Sequence, residues 1–148
     1  MNRAKDRILI IDDNPINLKV VALVLEAAGY EFRMAKSGLA ALSILEKSKP
    51  DLILLDIQMP EIDGFETFKR IKENSTNSEI PIIFLTAHTD NEVIQKVFGC
   101  GGADIATKPF NSDELLARIK THIKLKKQSE ELFRLKEEMK FPPSLRKI

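Results

Sequence analysis

Cysteine is nearly absent from these 148 residues: Cys100 stands alone, so no intramolecular disulfide can form and a cysteine-rich zinc site is excluded. A lone thiol suits a reducing cytoplasm, where the chain is expected to work, and Cys100 itself reads as a small packed residue. Long apolar runs are missing too, since none approaches the roughly 18–20 residues a membrane span needs. The start of the chain, Met1 to Arg7, is polar and leads straight into a strand pattern, so no signal peptide is expected. Nor does one sign of charge dominate, with 23 basic and 22 acidic residues for a net of +1. That balance hides a split: residues 1–122 carry 15 basic and 18 acidic groups, and residues 123–148 carry 8 and 4. Acids alternate with the bases of the tail, which therefore reads as a solvated helix face, and direct nucleic-acid binding is not expected.

What is present is an apolar share of 43%, enough for a real core, and a charged share of 30%, that of a soluble chain. Short strand-like runs alternate with helical patterns. Arg7 to Asp12 is an apolar run ending in acid; Asn14-Pro15 then opens a helix, with Asn as cap and Pro in the first turn. Leu18, Val21, Ala22 and Leu25 form its buried stripe and Gly29 closes it. A second strand follows over Glu31 to Ala35, and a second helix over Ser37 to Lys47, with Leu39, Leu42 and Leu45 on or near its inner face. Asp51 to Ile57 is the most apolar strand. A loop from Gln58 to Gly64 leads to a helix with Phe65, Phe68 and Ile71. Pro81 to Ala87 reads as the fourth strand, Asp90 as the cap of the next helix, and Asp104 to Thr107 as a short fifth strand. Asn111 with Glu114 predicts a capping box for the last helix, and Phe110 with Leu115 a hydrophobic staple. That helix should bury Leu116, Ile119 and Ile123, then run on to about Phe141, where Pro142-Pro143 stops it. Apolar strands with helical intervals predict an α/β fold, a doubly wound five-stranded parallel sheet covered on both faces, with an extended C-terminal helix.

In such sheets ligands sit beyond the carboxyl ends of the strands. There the sequence places Asp12 and Asp13 after strand one, Asp56 at the end of strand three, Thr86 at the end of strand four and Lys108 after strand five. Three carboxylates brought together repel, and a divalent cation relieves the repulsion. An oxygen-only set with few protein ligands suits Mg2+. Asp13, Asp56 and the backbone carbonyl of Gln58 would bind it directly, and Asp12 through a water. Asp56, a carboxylate closing a strongly apolar strand, is costly to fold unless compensated. It is also a competent nucleophile toward phosphorus. The metal and Lys108 would offset charge on phosphoryl oxygens, and Thr86 offers them a hydroxyl.

Asp12-Asp13, Leu54 to Pro60 with Asp63-Gly64, Leu85 to Ala87, and Thr107 to Phe110 occur in that order, and over residues 7 to 123 the chain resembles the receiver domain of two-component response regulators. The resemblance implies the flavodoxin-like strand order 2-1-3-4-5 and a receiver at 1–123. It also implies Mg-dependent phosphorylation of Asp56 by a histidine kinase or phosphotransfer protein, a cis Lys108-Pro109 bond, and a conformational switch controlling an output domain or partner. Ile105 stands where the family usually has Tyr or Phe, which leaves Thr86 without a rotating ring to couple to. Phe84 and Phe110 read as core, His88 as an exposed loop residue and His122 as a helix-surface residue.

Residues 124–148 read as a helical extension, a coiled-coil linker to an output domain. Leu125, Leu132 and Met139 recur every seven residues with Gln128 and Leu135 between, a seam for a weak parallel homodimer in which Glu131 meets Lys136 of the partner helix. No kinase, cyclase or phosphodiesterase motif occurs, and a metabolic enzyme is not expected. The rival reading is a haloacid dehalogenase-type phosphatase with an aspartyl-phosphate intermediate, which would want an acid two residues after its nucleophile on strand one. Here residue 58 is Gln, and the acid pair lies on another strand.

Overall fold

The computed structural model describes residues 5–140. Five strands, β1 (Arg7–Ile11), β2 (Glu31–Ala35), β3 (Leu52–Asp56), β4 (Ile82–Thr86) and β5 (Asp104–Thr107), form one parallel sheet in the order β2-β1-β3-β4-β5. Helices α1 (Pro15–Ala27), α2 (Gly38–Leu45), α3 (Gly64–Glu73), α4 (Asn91–Cys100) and α5 (Ser112–Met139) connect and cover it. The sequence-based architecture and strand bounds hold to within a residue or two. The proposed stop at Pro142-Pro143 lies outside the described residues.

The sheet separates two cores because alternate strand residues point to opposite faces. Ile8, Ile10, Leu52, Leu54, Ile83 and Leu85 meet α1 and α5, whose Leu18, Val21, Leu115, Ile119 and Ile123 close that side. Leu9, Ile11, Ile53, Leu55, Ile82 and Phe84 meet α2, α3 and α4 through Ala41, Leu45, Phe68, Ile71 and Val97. Phe84 is fully buried and stacks on Phe68, with ring centroids 5.5 Å apart, as expected of a core ring. Among the described residues no helix is long and apolar enough to cross a membrane.

The helix starts follow from local chemistry. The Asn14 side chain accepts from the amides of Ile16 and Asn17, satisfying donors that the first turn leaves unpaired. Ser37, Asp63, Asp90 and Asn111 do the same for α2 to α5. Only half of the capping box at Asn111 forms: Glu114 turns its carboxylate to Arg118, one turn along, at 3.0 Å.

Three side chains depart from expectation. Leu39 is exposed, and α2 instead buries Gly38, Ala41 and Leu45. The cause is the close approach of α3: a Cβ on Gly38 would stand 2.1 Å from Thr67 Oγ1, so the contact face must be small. Cys100 is exposed rather than packed, because α4 buries Val97 and turns position 100 outward. His122 is no surface residue: its Nε2 lies 3.0 Å from Asp104 Oδ2, and its side chain is 16% exposed.

Candidate functional site

Each strand ends where its hydrogen-bond ladder stops, and those ends converge on one edge. Asp12 follows β1, and its amide still donates to Ala35, so it is held as firmly as the strand itself. Its carboxylate is almost wholly buried with both oxygens engaged: Oδ1 accepts from the Asn14 amide at 2.9 Å, and Oδ2 from Lys108 at 3.0 Å. Asp13, next along, is exposed. Asp56 closes β3 and is 5% exposed; its Oδ1 accepts from Lys108 Nζ at 3.1 Å. Asp12, Asp13 and Asp56 offer carboxylate oxygens within 4.8 Å of one another, a set that could hold a metal ion.

Lys108 is fixed from both ends. Its backbone amide donates to the Thr86 carbonyl at 2.9 Å, and the peptide bond to Pro109 is cis, as the family resemblance implied. The amine bridges Asp12 as well as Asp56, a second partner that the sequence did not indicate. Burial alone would lower its pKa, but the hydrogen bonds it donates to both carboxylates outweigh that and raise it.

The Asp56 pKa is raised from 3.8 to about 6: burial lifts it most, the Lys108 hydrogen bond pulls it down, and the neighbouring Asp12 and Asp13 push it up. One ammonium thus faces three carboxylates, two of them buried. The charge still uncompensated is negative, the condition a small divalent cation meets with oxygen ligands alone.

Thr86 is buried at the end of β4, and its hydroxyl is engaged with the backbone of His88, accepting from the amide and donating to the carbonyl, each at 3.0 Å. Reaching a ligand would require it to give up that local turn. His88 is exposed, as expected. Gln58 is exposed and lines, with Asp13, Met59, Asp63, Phe65 and Lys96, a cleft of about 510 Å³ beside the carboxylates. Lys96 was not indicated by the sequence; its amine sits 4.3 Å from the Phe65 ring centre, over the face of the ring. The loop carrying Gln58 bends at Glu61, whose φ of 67° is left-handed for a residue with a side chain.

Away from the acids, Asp104 in β5 accepts from Arg118 at 2.7 Å and faces His122 at 3.0 Å, tying the edge strand to α5. Burial would raise the Asp104 pKa, but the hydrogen bonds from His122, the Ile105 amide and Arg118 prevail and lower it. Ile105 is half-buried beside the second core, in the position where a rotating ring would sit.

Comparison with known proteins identifies the family to which the fold belongs. The family model described as "Response regulator receiver domain" matches residues 8–120. The transcriptional regulator RpaA of Synechocystis is 38% identical over 114 residues, covering 77% of this chain and 47% of RpaA. The polar-differentiation response regulator DivK of Brucella ovis is 34% identical over 116 residues, covering 78% of this chain and 94% of DivK. The solved structure of chemotaxis protein CheY4 of Vibrio cholerae superposes with a TM-score of 0.76 at 33% identity, covering 80% of this chain and 98% of that one. The chain spans about half the length of RpaA and 28% of a probable cyclic di-GMP phosphodiesterase of Vibrio cholerae that it also matches.

Proposed function

The chain belongs to the response regulator receiver domain family, which signals by aspartyl phosphorylation, and from that premise we propose that Asp56 is the residue phosphorylated here. The observation that carries the assignment is the placement of Asp56: a buried carboxylate at the carboxyl edge of the central strand, bridged by Lys108 and grouped with Asp12 and Asp13. The donors are a histidine kinase or phosphotransfer protein, and the site works with Mg2+.

The residues divide the work according to what each already touches. Asp13, Asp56 and the Gln58 carbonyl would hold the ion, while Asp12, with both oxygens engaged, acts through a water. When bound, the ion supplies positive charge against the phosphoryl oxygens. An Asp56 oxygen attacks phosphorus and the bond to the donor nitrogen breaks. Lys108 keeps its link to Asp12 and shifts its remaining hydrogen bonds toward the phosphoryl group, offsetting charge where it is added. Thr86 exchanges its bonds to His88 for one to a phosphoryl oxygen, drawing on the β4–α4 loop. With isoleucine at 105, that loop movement has no ring to carry it further, and the switch runs through the backbone of β4 and β5.

Incubating the protein with acetyl phosphate and Mg2+ should add the mass of one phosphoryl group, read by intact mass spectrometry, and chelator should abolish the gain. A gain that persists in chelator, or no gain at any donor concentration, overturns the assignment.

The same reading extends to the free half of α5. Leu125, Leu132, Leu135 and Met139 are exposed at heptad spacing, as a coiled-coil seam requires. The charged flanks differ from expectation: Glu131 and Glu138 both pair with Arg134 of their own helix, so a Glu131–Lys136 contact across a dimer must compete with them. Leu132 and Leu135 also border a cleft with Tyr30, so part of the seam overlooks its own domain. A weak parallel dimer follows. In sedimentation with and without beryllofluoride, wild type should show concentration-dependent dimers, and Leu132→Glu should stay monomeric. Identical behaviour of the two proteins under both conditions rules the dimer out.

A further inference from the structure

The end of the sheet opposite Asp56 holds a second charged cleft, of opposite sign. α5 starts at the carboxyl edge beside β5 and runs back along the domain, so that its Lys127 meets Asp6 just ahead of β1 at 2.8 Å. Where the helix leaves the base, it and the base enclose a cleft of about 610 Å³. Six cations line it: Arg7 of β1, Arg33 of β2, Lys47 and Lys49 after α2, and Lys126 and Lys127 of α5. Two carboxylates, Asp51 and Glu130, share the lining.

Part of this charge is already matched. Arg7 lies 3.2 Å from Glu31, Lys126 3.4 Å from Glu130, and Lys127 has Asp6. Asp51 accepts the Arg7 amide at 2.7 Å. Arg33, Lys47 and Lys49 are exposed and form no ion pair among the described residues. Three like charges gathered at one cleft raise one another's energy unless an anion joins them. The floor is of a different kind. Arg7, Glu31, Arg33, Ser48, Lys49 and Pro50 also line a narrower slot of about 190 Å³ on the α2 side of the sheet, with Ile44 on its wall.

We propose that this cleft binds a small multiply phosphorylated anion carrying an aromatic or apolar portion, of nucleotide size. The guanidinium of Arg33 suits a bidentate grip on phosphate, and Lys47 and Lys49 add point charges beside it. The slot, with Ile44 on its wall, takes the apolar portion. Its concave shape and its volume, within the range of small-ligand clefts, fit a single nucleotide rather than a duplex or a folded partner. Lys126 and Lys127 belong to the helix and the other cations to the base, so a bound polyphosphate clasps α5 to the domain where the helix departs. This site is separate from the carboxylate cluster and stands whether or not Asp56 is phosphorylated.

The test is calorimetric titration of the full chain in chelator, which keeps a metal–nucleotide complex from occupying the acidic site. The probes are ATP, inorganic diphosphate and inorganic phosphate. ATP should bind more tightly than diphosphate, and diphosphate more tightly than phosphate. The double variant Arg33→Glu/Lys49→Glu should weaken ATP at least tenfold while accepting phosphate from acetyl phosphate as wild type does, which verifies its fold. Asp56→Asn should bind ATP unchanged. No ATP binding at millimolar concentration overturns the proposal, as does binding unaffected by the charge reversal. Equal affinity for ATP and diphosphate overturns it as well, because the apolar portion then contributes nothing. Binding of a polyglutamate peptide in place of ATP reassigns the cleft to an acidic protein partner and likewise overturns it.

Discussion

Asp56→Asn is expected to lose phosphorylation completely and, in chelator at pH 8, to be more stable than the wild type. The second effect follows from the raised Asp56 pKa of about 6. The unfolded chain ionises this group near pH 4, whereas the folded domain resists ionisation until about pH 6. Between those values the native state holds the extra proton, so stability falls as pH rises through the window and the full penalty stands above it. A shift of about two pKa units corresponds to roughly 3 kcal/mol, of which asparagine, itself a buried polar group, recovers only a part. Asparagine removes the charge and should recover on the order of 2 kcal/mol, a gain of several degrees in Tm for a domain of this size. At pH 4 the two proteins should differ little. Mg2+ at neutral pH should narrow the gap, because it stabilises the wild type by mass action. Thermal melts across pH 4 to 8, with and without Mg2+, check this. A variant less stable than wild type at pH 8 in chelator, or an offset independent of pH, would sink it.

Gly64→Ala should damage both the fold and the site. Gly64 opens α3, and its amide donates to the Ile57 carbonyl at 2.7 Å, so the helix start presses on the backbone just after Asp56. A Cβ here would stand 2.3 Å from the Asp56 carbonyl oxygen and 2.7 Å from Ile57 Cα. Neither neighbour is a flexible side-chain end. Either α3 retreats or the chain after β3 moves, and overpacking of this kind costs about 1–3 kcal/mol, sometimes more. That is a large share of the about 5–15 kcal/mol that holds a typical domain together. Because the same backbone leads into Gln58, Mg2+ affinity should fall severalfold as well. Denaturant melts and a Mg2+ titration read the two effects. Wild-type values for both would mean the loop absorbs a methyl group without moving the site.

Much of this was written in the sequence. Apolar strands ending in acids, Asn14-Pro15 at a helix start and Gly-rich turns are local signals, and each has its partner in the structure. The carboxylate cluster was legible because parallel strands must bring their carboxyl ends together. What escaped was set by distant neighbours. Leu39 gives way to Ala41 in the core because α3 comes too close for bulk at Gly38, and no local pattern reveals that distance. His122 leaves the surface because Asp104, 18 residues earlier, lies beneath it on β5. The second bond of Lys108, to Asp12, spans 96 residues of sequence. The basic cleft draws on four separate segments, and its charges are diluted in each of them.

The long last helix also makes the domain a lever. Its buried part ends at Ile123, and 16 residues beyond it Met139 is still helical. At 1.5 Å per residue this arm is about 24 Å long, so tilting it about 5° at Ile123 would sweep its tip through about 2 Å. The fulcrum lies at the base of the sheet and the effort is applied at the opposite rim, where the carboxylates are. Displacements too small to repack a core could in this way shift a heptad contact by a fraction of its spacing. The Lys127–Asp6 pair, four residues along the arm, acts as a stay whose tension sets how freely that arm swings.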